Sequence, residues 1–531
     1  MHTLSAPSSL LTADVLIVGF GPVGKVLAIQ LGRRGHDVLV IDREESGYPL
    51  PRAVTHDSDF ARILQSVDLS PDTIPDITQP YDDMYVWRNG KGQTLVEVDW
   101  KGRGESGWYN TYFFHQPALE NALDAVVDGL PSVRVMRGWE AVEFAQGASL
   151  ATVTVRSAST GEQCSVDVPW VIGADGANSG VRRWAGIEWH DEGYFHDWLV
   201  VDVKPRPGLV FPHVATQSCD VHRPSTMVPG GPGRRRWEFM RLPHESKESL
   251  NSTDKAWELL APYGLTPENA ELERHSLYTF QACWATRWRE GRFLLAGDAA
   301  HLMPPFAGQG LGAGVRDVMN LSWKLDAVLR GLADEQLLDT YGAERLPHAV
   351  AFVKFSMQLG QVICISDPTA AAERDDRMIA DWDAGMKPPA PPRPGLGPGV
   401  HTGPAGGALA RQGRIRTPGG GPAMFDDAFG GPGAVIARST GALAGLPDTV
   451  RTLLTEFGVD LVALEGPDAA GVTVVEDLDG TYTSWLEELG ADVILVRPDF
   501  HLYGAGSNDQ AAELATGFLT RAAALQPLTA G

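Results

Sequence analysis

Four cysteines are spread over 531 residues, Cys164, Cys219, Cys283 and Cys364, and no two form a Cys-x-x-Cys pair. That spacing excludes a disulfide framework and a zinc knuckle, and it fits a reducing cytoplasm. Basic residues are scarce as well: 44 Lys and Arg stand against 67 Asp and Glu, a formal net charge of -23. A surface of that sign is wrong for nucleic acid or an anionic membrane, which leaves a small molecule as the expected partner. No run of 18 apolar residues occurs, and residues 1–13 lack a basic region followed by a long apolar core, so neither a membrane span nor an export signal is expected. His190, Asp191, Glu192, His196 and Asp197 crowd together, but without a helical i, i+4 histidine pair they read as a solvated loop rather than a metal site. What is present, at 43% hydrophobic residues, is enough for the cores of two or three domains.

The densest concentration of glycine-dependent chemistry lies at residues 297–314, between an apolar strand at 292–296 and a helix at 315–329. Gly297-Asp298, Pro304-Pro305 and Gly308-Gln309-Gly310-Leu311-Gly312 follow one another there. Successive glycines let backbone N–H groups crowd toward one object, and the start of the following helix favours negative charge. Asp298 at the strand's end suits hydroxyl groups. A second such unit opens the chain: the apolar strand 14–18, then Gly19-Phe20-Gly21-Pro22-Val23-Gly24, a helix, and a second strand ending in Asp42 and Arg43. Strand, Gly-x-Gly-x-x-Gly, helix and an acid at the second strand's tip together predict dinucleotide binding. Only one complete fingerprint occurs, so a second nucleotide would bind without a Rossmann domain of its own. Arg52, His56 and Asp57 follow in a loop that either lines the site or caps the short helix at 60–67.

Further along, Asn89-Gly90 predicts a hairpin. Phe114-His115-Gln116-Pro117 opens a helix, and the strand at 170–173 ends in Gly173-Ala174-Asp175-Gly176. These strand-to-loop units are far apart, so the nucleotide domain is expected to form from separated segments. Residues 186–285 alternate as a mostly antiparallel sheet with one face able to cover a ligand. A helix at 334–359, with a break expected at Pro347, precedes a Pro/Gly-rich run from 387 to 422, which includes Pro389 and reads as a linker or surface wrap. Strands at 434–436, 461–464 and 493–496 alternate with helices, the last at 510–525, as a compact α/β unit without cysteine.

Taken in order, the 19–24 fingerprint, Gly173-Ala174-Asp175-Gly176 and Gly297-Asp298 with Pro-Pro and Gly-Gln-Gly resemble the single-component FAD-dependent aromatic hydroxylases, the group of p-hydroxybenzoate and phenol hydroxylases. Residues 48–53 (Tyr48 to Ala53), Cys219-Asp220, Arg223-Pro224, Arg236-Trp237-Glu238-Phe239-Met240 and residues 317–325 are similar to the 3-(3-hydroxyphenyl)propionate hydroxylases within it. The resemblance implies a mixed α/β and α+β fold: a Rossmann-like FAD-binding domain from residues 1–75, 114–185 and 286–350, an antiparallel-sheet substrate domain from 76–113 and 186–285, a helix and Pro-rich linker at 351–400, and a thioredoxin-like C-terminal domain at 401–531. It also implies that Gly19, Gly21, Pro22 and Gly24 meet the FAD pyrophosphate, Asp42 and Arg43 the adenosine end, Arg52, Gln116 and Asp175 the cofactor, and Asp298 the ribityl chain. Pro305 would lie beside the flavin ring, and Gly308, Gln309, Gly310, Leu311 and Gly312 at its pyrimidine edge. Gly312 departs from the Asn that many relatives carry.

The activity so implied is hydroxylation of a small phenolic substrate, such as an arylpropionate, with NAD(P)H and O₂, through a flavin C4a-hydroperoxide. Its rivals are a larger polyketide-type phenol and a flavin protein that does not oxygenate. A phenol of pKa about 10 needs an acceptor for its proton, for which Asp57 or His56 is the expected residue. His301 is expected to order backbone, and Arg223 is the candidate anchor for a substrate carboxylate. A homodimer is compatible with this reading.

Overall fold

The computed structural model describes residues 10–47, 49–388 and 390–523; Tyr48, Pro389 and the last two residues of the expected C-terminal helix lie outside them. Val15–Val18, Val38–Asp42, Val133–Arg137, Trp170–Gly173 and Phe293–Leu295 come together as the parallel strands of a six-stranded sheet, with Arg289–Glu290 as an antiparallel edge. Four of these strands are almost wholly buried, because helices or a second sheet cover both faces. Continuous Val, Leu and Ile runs are what a doubly covered parallel strand requires. Parallel strands also place their carboxyl ends at one edge, so loops distant in sequence converge there. Strands from 139 to 168, read from sequence as part of one strand-rich stretch, form a separate four-stranded sheet with Leu11–Thr12.

The other large sheet has eight strands, in the order His301–Leu302, Ala270–Ala285, Trp189–Pro205, Arg235–Met240, Ser225–Pro229, Ala215–Cys219, Met84–Asn89 and Thr94–Asp99. All its pairs are antiparallel except that of Ala215–Cys219 with Met84–Asn89. Alternation gives it two faces. Leu199, Val201, Val203, Trp237 and Phe239 pack on one side with Ala256 and Leu260 of the helix Thr253–Leu260. The residues between them face the parallel sheet's carboxyl edge.

Helix Asp339–Ile363 runs through Pro347 without the expected break. The Pro/Gly-rich wrap crosses the helix at this turn, where the Gly397 N–H donates to the Glu344 carbonyl at 2.8 Å. A second helix, Pro368–Asp383, lies between the helix expected at 334–359 and the Pro/Gly-rich run from 387; Asp367 caps it through the Ala370 N–H at 2.8 Å and Pro368 stands at its first position. The wrap buries Leu396, Val400 and Ala410. Beyond it, Ala434–Ser439, Asp460–Glu465, Thr473–Val474, Val493–Val496 and Leu502–Gly506 form a mixed five-stranded sheet with a helix-covered core on each face. A fully buried ionic cluster fastens this unit to the rest: Arg497 donates to Glu344 at 2.9 and 2.8 Å and to Asp499 at 3.0 and 2.6 Å, and Lys324 to Glu344 at 2.7 Å. Pairing is what makes such charges tolerable away from water.

Candidate active site

At the carboxyl edge of the parallel sheet, Val18 lies in register with Ile41 and Gly173, and Gly173 with Leu295. Gly19, at φ +107°, could not carry a Cβ, which would lie 2.3 Å from the Ala174 carbonyl oxygen; one at Gly24 would lie 2.1 Å from the Gly19 oxygen. These two glycines close the loops against each other. Gly21 is different, since a Cβ there would meet nothing within 4 Å, and with Pro22 it borders the main cavity. The helix Pro22–Arg33 that it opens has no side-chain cap. Bare N–H groups, a positive helix end and vacant space fit a pyrophosphate. Asp42 is held by the Phe20 N–H at 2.6 Å and the Glu44 N–H at 2.8 Å, while Arg43 is exposed and pairs with Glu44 at 3.2 Å.

Gln116 accepts from the Arg52 and Ala53 N–H groups at 3.0 and 2.7 Å and donates to Glu120 at 2.8 Å, which pairs with the buried Lys25 at 3.1 Å. This chain locks the Arg52 loop to the fingerprint helix. Asp175 accepts from Gly180 and Val181 N–H groups at 2.7 and 3.2 Å, and its other oxygen is buried without a partner among the described residues. Asp298 lies deep inside the envelope yet is exposed to the cavity, and no described residue hydrogen-bonds its side chain. Burial raises its pKa, against the pull of His301 and Arg52. An unsatisfied acid facing an internal cavity is suited to hydroxyl groups of a ligand. His301 is buried and bonds Asp317 at 2.7 Å, and Asp317 in turn receives the Gly297 N–H at 3.1 Å and Arg345 at 3.0 Å.

The loop after Arg52 reaches the Gly-Gln-Gly turn. Asp57 caps helix Ser58–Gln65 through the Phe60 N–H at 3.0 Å and forms an ion pair with the buried Arg316, which also holds Asp59 at 3.1 Å and the Gln309 side chain at 3.1 Å. Burial pushes the Asp57 pKa up, but Arg316, the Phe60 N–H and Gln309 together outweigh it and leave the carboxyl below its usual range. His56 has both ring nitrogens engaged, with Thr78 at 2.9 Å and the Asp57 carbonyl at 3.1 Å, and stacks on Tyr112. Burial pulls its pKa down to about 4. Gly308 turns at φ +64° against Thr55, Pro305 borders the cavity, and helix Gly310–Leu329 begins without a side-chain cap, leaving the N–H groups of Gly310, Leu311 and Gly312 for a ligand. A Cβ at Gly312 would lie 3.1 Å from Arg316, so glycine at this position leaves room for the guanidinium.

One cavity of about 1040 Å³ runs from Gly21 and Asp298 past Pro305 into a chamber walled by Tyr85, Trp87, Trp100, Phe113, Phe306 and Leu359. Across the sheet face that forms its wall, Glu238, Thr226, Gln217 and Trp87 are successive cross-strand neighbours. Arg316, Glu238 and Gln217 were not singled out as site residues from sequence. Alternation in Arg236-Trp237-Glu238-Phe239 was visible, but not which face meets the cavity. Arg223 does not border the cavity; it is spent on Glu245, at 2.7 and 2.6 Å.

Among the described residues no group of His, Cys, Asp and Glu could hold a metal, and no single helix is long and apolar enough to cross a membrane. Residues 12–356 match the FAD binding domain family, and residues 407–521 the HcaD C-terminal domain. The chain is 38% identical over 505 residues to a probable NADH-specific resorcinol 4-hydroxylase of Rhodococcus jostii (strain RHA1), covering 94% of this chain and 93% of the relative. It is 33% identical over 522 residues to the 3-(3-hydroxy-phenyl)propionate/3-hydroxycinnamic acid hydroxylase of Escherichia coli (strain K12), covering 92% and 91%. In fold it is similar to the flavin-dependent monooxygenase PieE in complex with FAD and substrate, with a TM-score of 0.77 at 21% identity, covering 98% of this chain and 100% of that one. Aklavinone-11 hydroxylase with FAD and aklavinone gives 0.76 at 23%, covering 97% and 99%.

Proposed function

Because the chain belongs to the single-component FAD-dependent aromatic hydroxylases, we propose that it hydroxylates a small hydroxyaryl compound at the Pro305 junction of its cavity, consuming NAD(P)H and O₂. The observation that carries this reading is the continuity of the cavity, which joins a glycine cradle to an aromatic chamber. FAD, when bound, supplies the redox and oxygen chemistry. The chain supplies orientation, a dry enclosure and fixed dipoles.

In this reading Gly19, Gly21, Pro22 and Gly24 admit the pyrophosphate, Asp42 takes the adenosine ribose, and Asp298 takes hydroxyls of the ribityl chain. The uncapped N–H groups of Gly310 to Gly312 stabilise negative charge at the pyrimidine edge. Arg52, Gln116 and Asp175 brace the loops around the cofactor, and exposed Arg43 contributes at the adenosine rim. Asp57 is better placed to hold Arg316, and through it Gln309, than to accept a proton. His56, neutral and doubly bonded, anchors the same loop. The nicotinamide nucleotide binds transiently across the cleft, with NADH the favoured donor by analogy with the Rhodococcus relative.

The test is a phenol panel given to FAD-loaded protein with NADH and NADPH in turn, following nucleotide consumption, peroxide and hydroxylated product. The expected result is phenol-stimulated oxidation coupled to product. A yellow protein whose nucleotide oxidation no phenol stimulates would instead be a flavin protein that does not oxygenate.

A further inference from the structure

Resting on the hydroxylase reading, we propose that Glu238 is the specificity-determining residue of the chamber: it accepts a hydrogen bond from a hydroxyl of an uncharged phenol and excludes aromatic substrates that carry a carboxylate. Register places it. Strand Arg235–Met240 pairs Glu238 with Thr226, Ser225–Pro229 pairs Thr226 with Gln217, and Ala215–Cys219 pairs Gln217 with Trp87. All four border the cavity, while Trp237 and Phe239 point to the opposite, helix-covered face.

Two of the polar members of this row are already committed to each other. The Gln217 Oε1 accepts from Thr226 at 2.8 Å and Tyr85 at 3.1 Å, and its Nε2 donates to the Ser225 carbonyl at 2.9 Å. Glu238 has no hydrogen bond from any described residue; its nearest ionic neighbour is Arg236, at 3.8 Å. Arg236 cannot satisfy it, because that guanidinium grips Asp202 at 2.7 and 2.9 Å and the Pro51 carbonyl at 2.9 Å. Glu238 is therefore the open acceptor of this row. Burial holds its carboxyl above the usual pKa and Asp202 adds to the rise, with the charges of Arg236 and Arg274 opposing, as expected of a buried acid without a hydrogen-bond donor.

The cations that border the cavity are engaged elsewhere. Arg316 lies on Asp57 and Asp59, Arg62 on Asp426 at 2.6 Å, and Arg393 at an exposed rim beside Glu105. Arg52 lies on the cradle side, where its charge acts on Asp298. A substrate carboxylate entering this chamber would meet Glu238 with no cation committed to it, and like charges at close range in a poorly solvated site repel strongly. A hydroxyl would give Glu238 the donor it lacks.

The test compares two ligands of nearly one shape, 3-hydroxybenzyl alcohol and 3-hydroxybenzoate, with resorcinol as a third, on FAD-loaded full-length protein. Equilibrium binding is read by calorimetry beside kcat and KM. The wild-type protein is expected to bind the alcohol at least about tenfold more tightly than the acid, and Glu238→Gln to bring the pair within about threefold. A merely structural role for Glu238 would weaken both ligands together and leave their ratio standing. Equal binding of acid and alcohol by the wild type would overturn the inference, as would an unchanged ratio in a Glu238→Gln protein that retains FAD. If that variant loses FAD, the wild-type pair alone decides. Hydroxylation of the acid in preference to the alcohol overturns this inference only, whereas absence of any hydroxylated product overturns the reading beneath it.

Discussion

Gly21 and Glu238 border one cavity and do opposite things: the first contributes an absence, space and a bare N–H, while the second contributes a carboxyl side chain to the chamber wall. Recognition by backbone requires particular residues at fixed spacing, because only glycine permits the close approaches at Gly19 and Gly24. Recognition by side chains requires only that residues from several strands share a face. Cofactor ends can therefore stay constant across a family while substrate ends diverge on one scaffold.

The largest effects should come from the cradle. Gly19→Ala, strained and clashing, is expected to lower the apoprotein's melting temperature and abolish FAD binding together. Gly21→Ala should leave the apoprotein's melting temperature alone and weaken FAD on the order of 100-fold, measured by fluorescence titration. Wild-type affinity in Gly21→Ala would show that this backbone does not hold the pyrophosphate. Next comes the brace between the two ends. Arg316→Met strands Asp57 and Asp59 and should cost about 3–5 kcal/mol in denaturant melts, with part regained on adding Asp57→Asn.

Acid titration gives a smaller effect. His56 drops from 6.5 unfolded to about 4 folded, so the unfolded chain binds more protons between those values. Its contribution to stability is therefore lost as pH falls from 6.5 toward 4, by up to about 3 kcal/mol, and His56→Gln should flatten that part of the profile. The smallest effect distinguishes brace from base at Asp57. Asp57→Asn should lower kcat by less than about tenfold with an unaltered pH–rate profile, where removing a general base costs about 10²–10⁴-fold. A displaced profile would return Asp57 to proton transfer.

The same contrast explains what could be read from the chain. The parallel strands and the Gly19–Gly24 fingerprint were legible because each is local: an apolar run, a spacing, an acid at the next strand's tip. Helix Pro368–Asp383 carried a local signal, Asp367 before Pro368, but it falls in the interval left between the expected helix at 334–359 and the Pro/Gly-rich run that begins at 387. Arg316 lies six residues beyond Gly310 in a helix buried on nearly all sides, so periodicity could not mark it. Glu238 belonged to a strand whose alternation was plain, but its neighbours Thr226, Gln217 and Trp87 are chosen by strand order, which includes one parallel pairing that no local pattern encodes.

The central claim is that cradle and chamber act as one cavity in which an oxygen atom passes to a phenol. The direct measurement is turnover of FAD-loaded protein with NADH and resorcinol under ¹⁸O₂, followed by mass spectrometry of the product. The expected product carries one ¹⁸O atom in a trihydroxylated ring, with little peroxide formed. NADH consumption that yields labelled peroxide and unaltered resorcinol, repeated across neutral and acidic phenols, would contradict it.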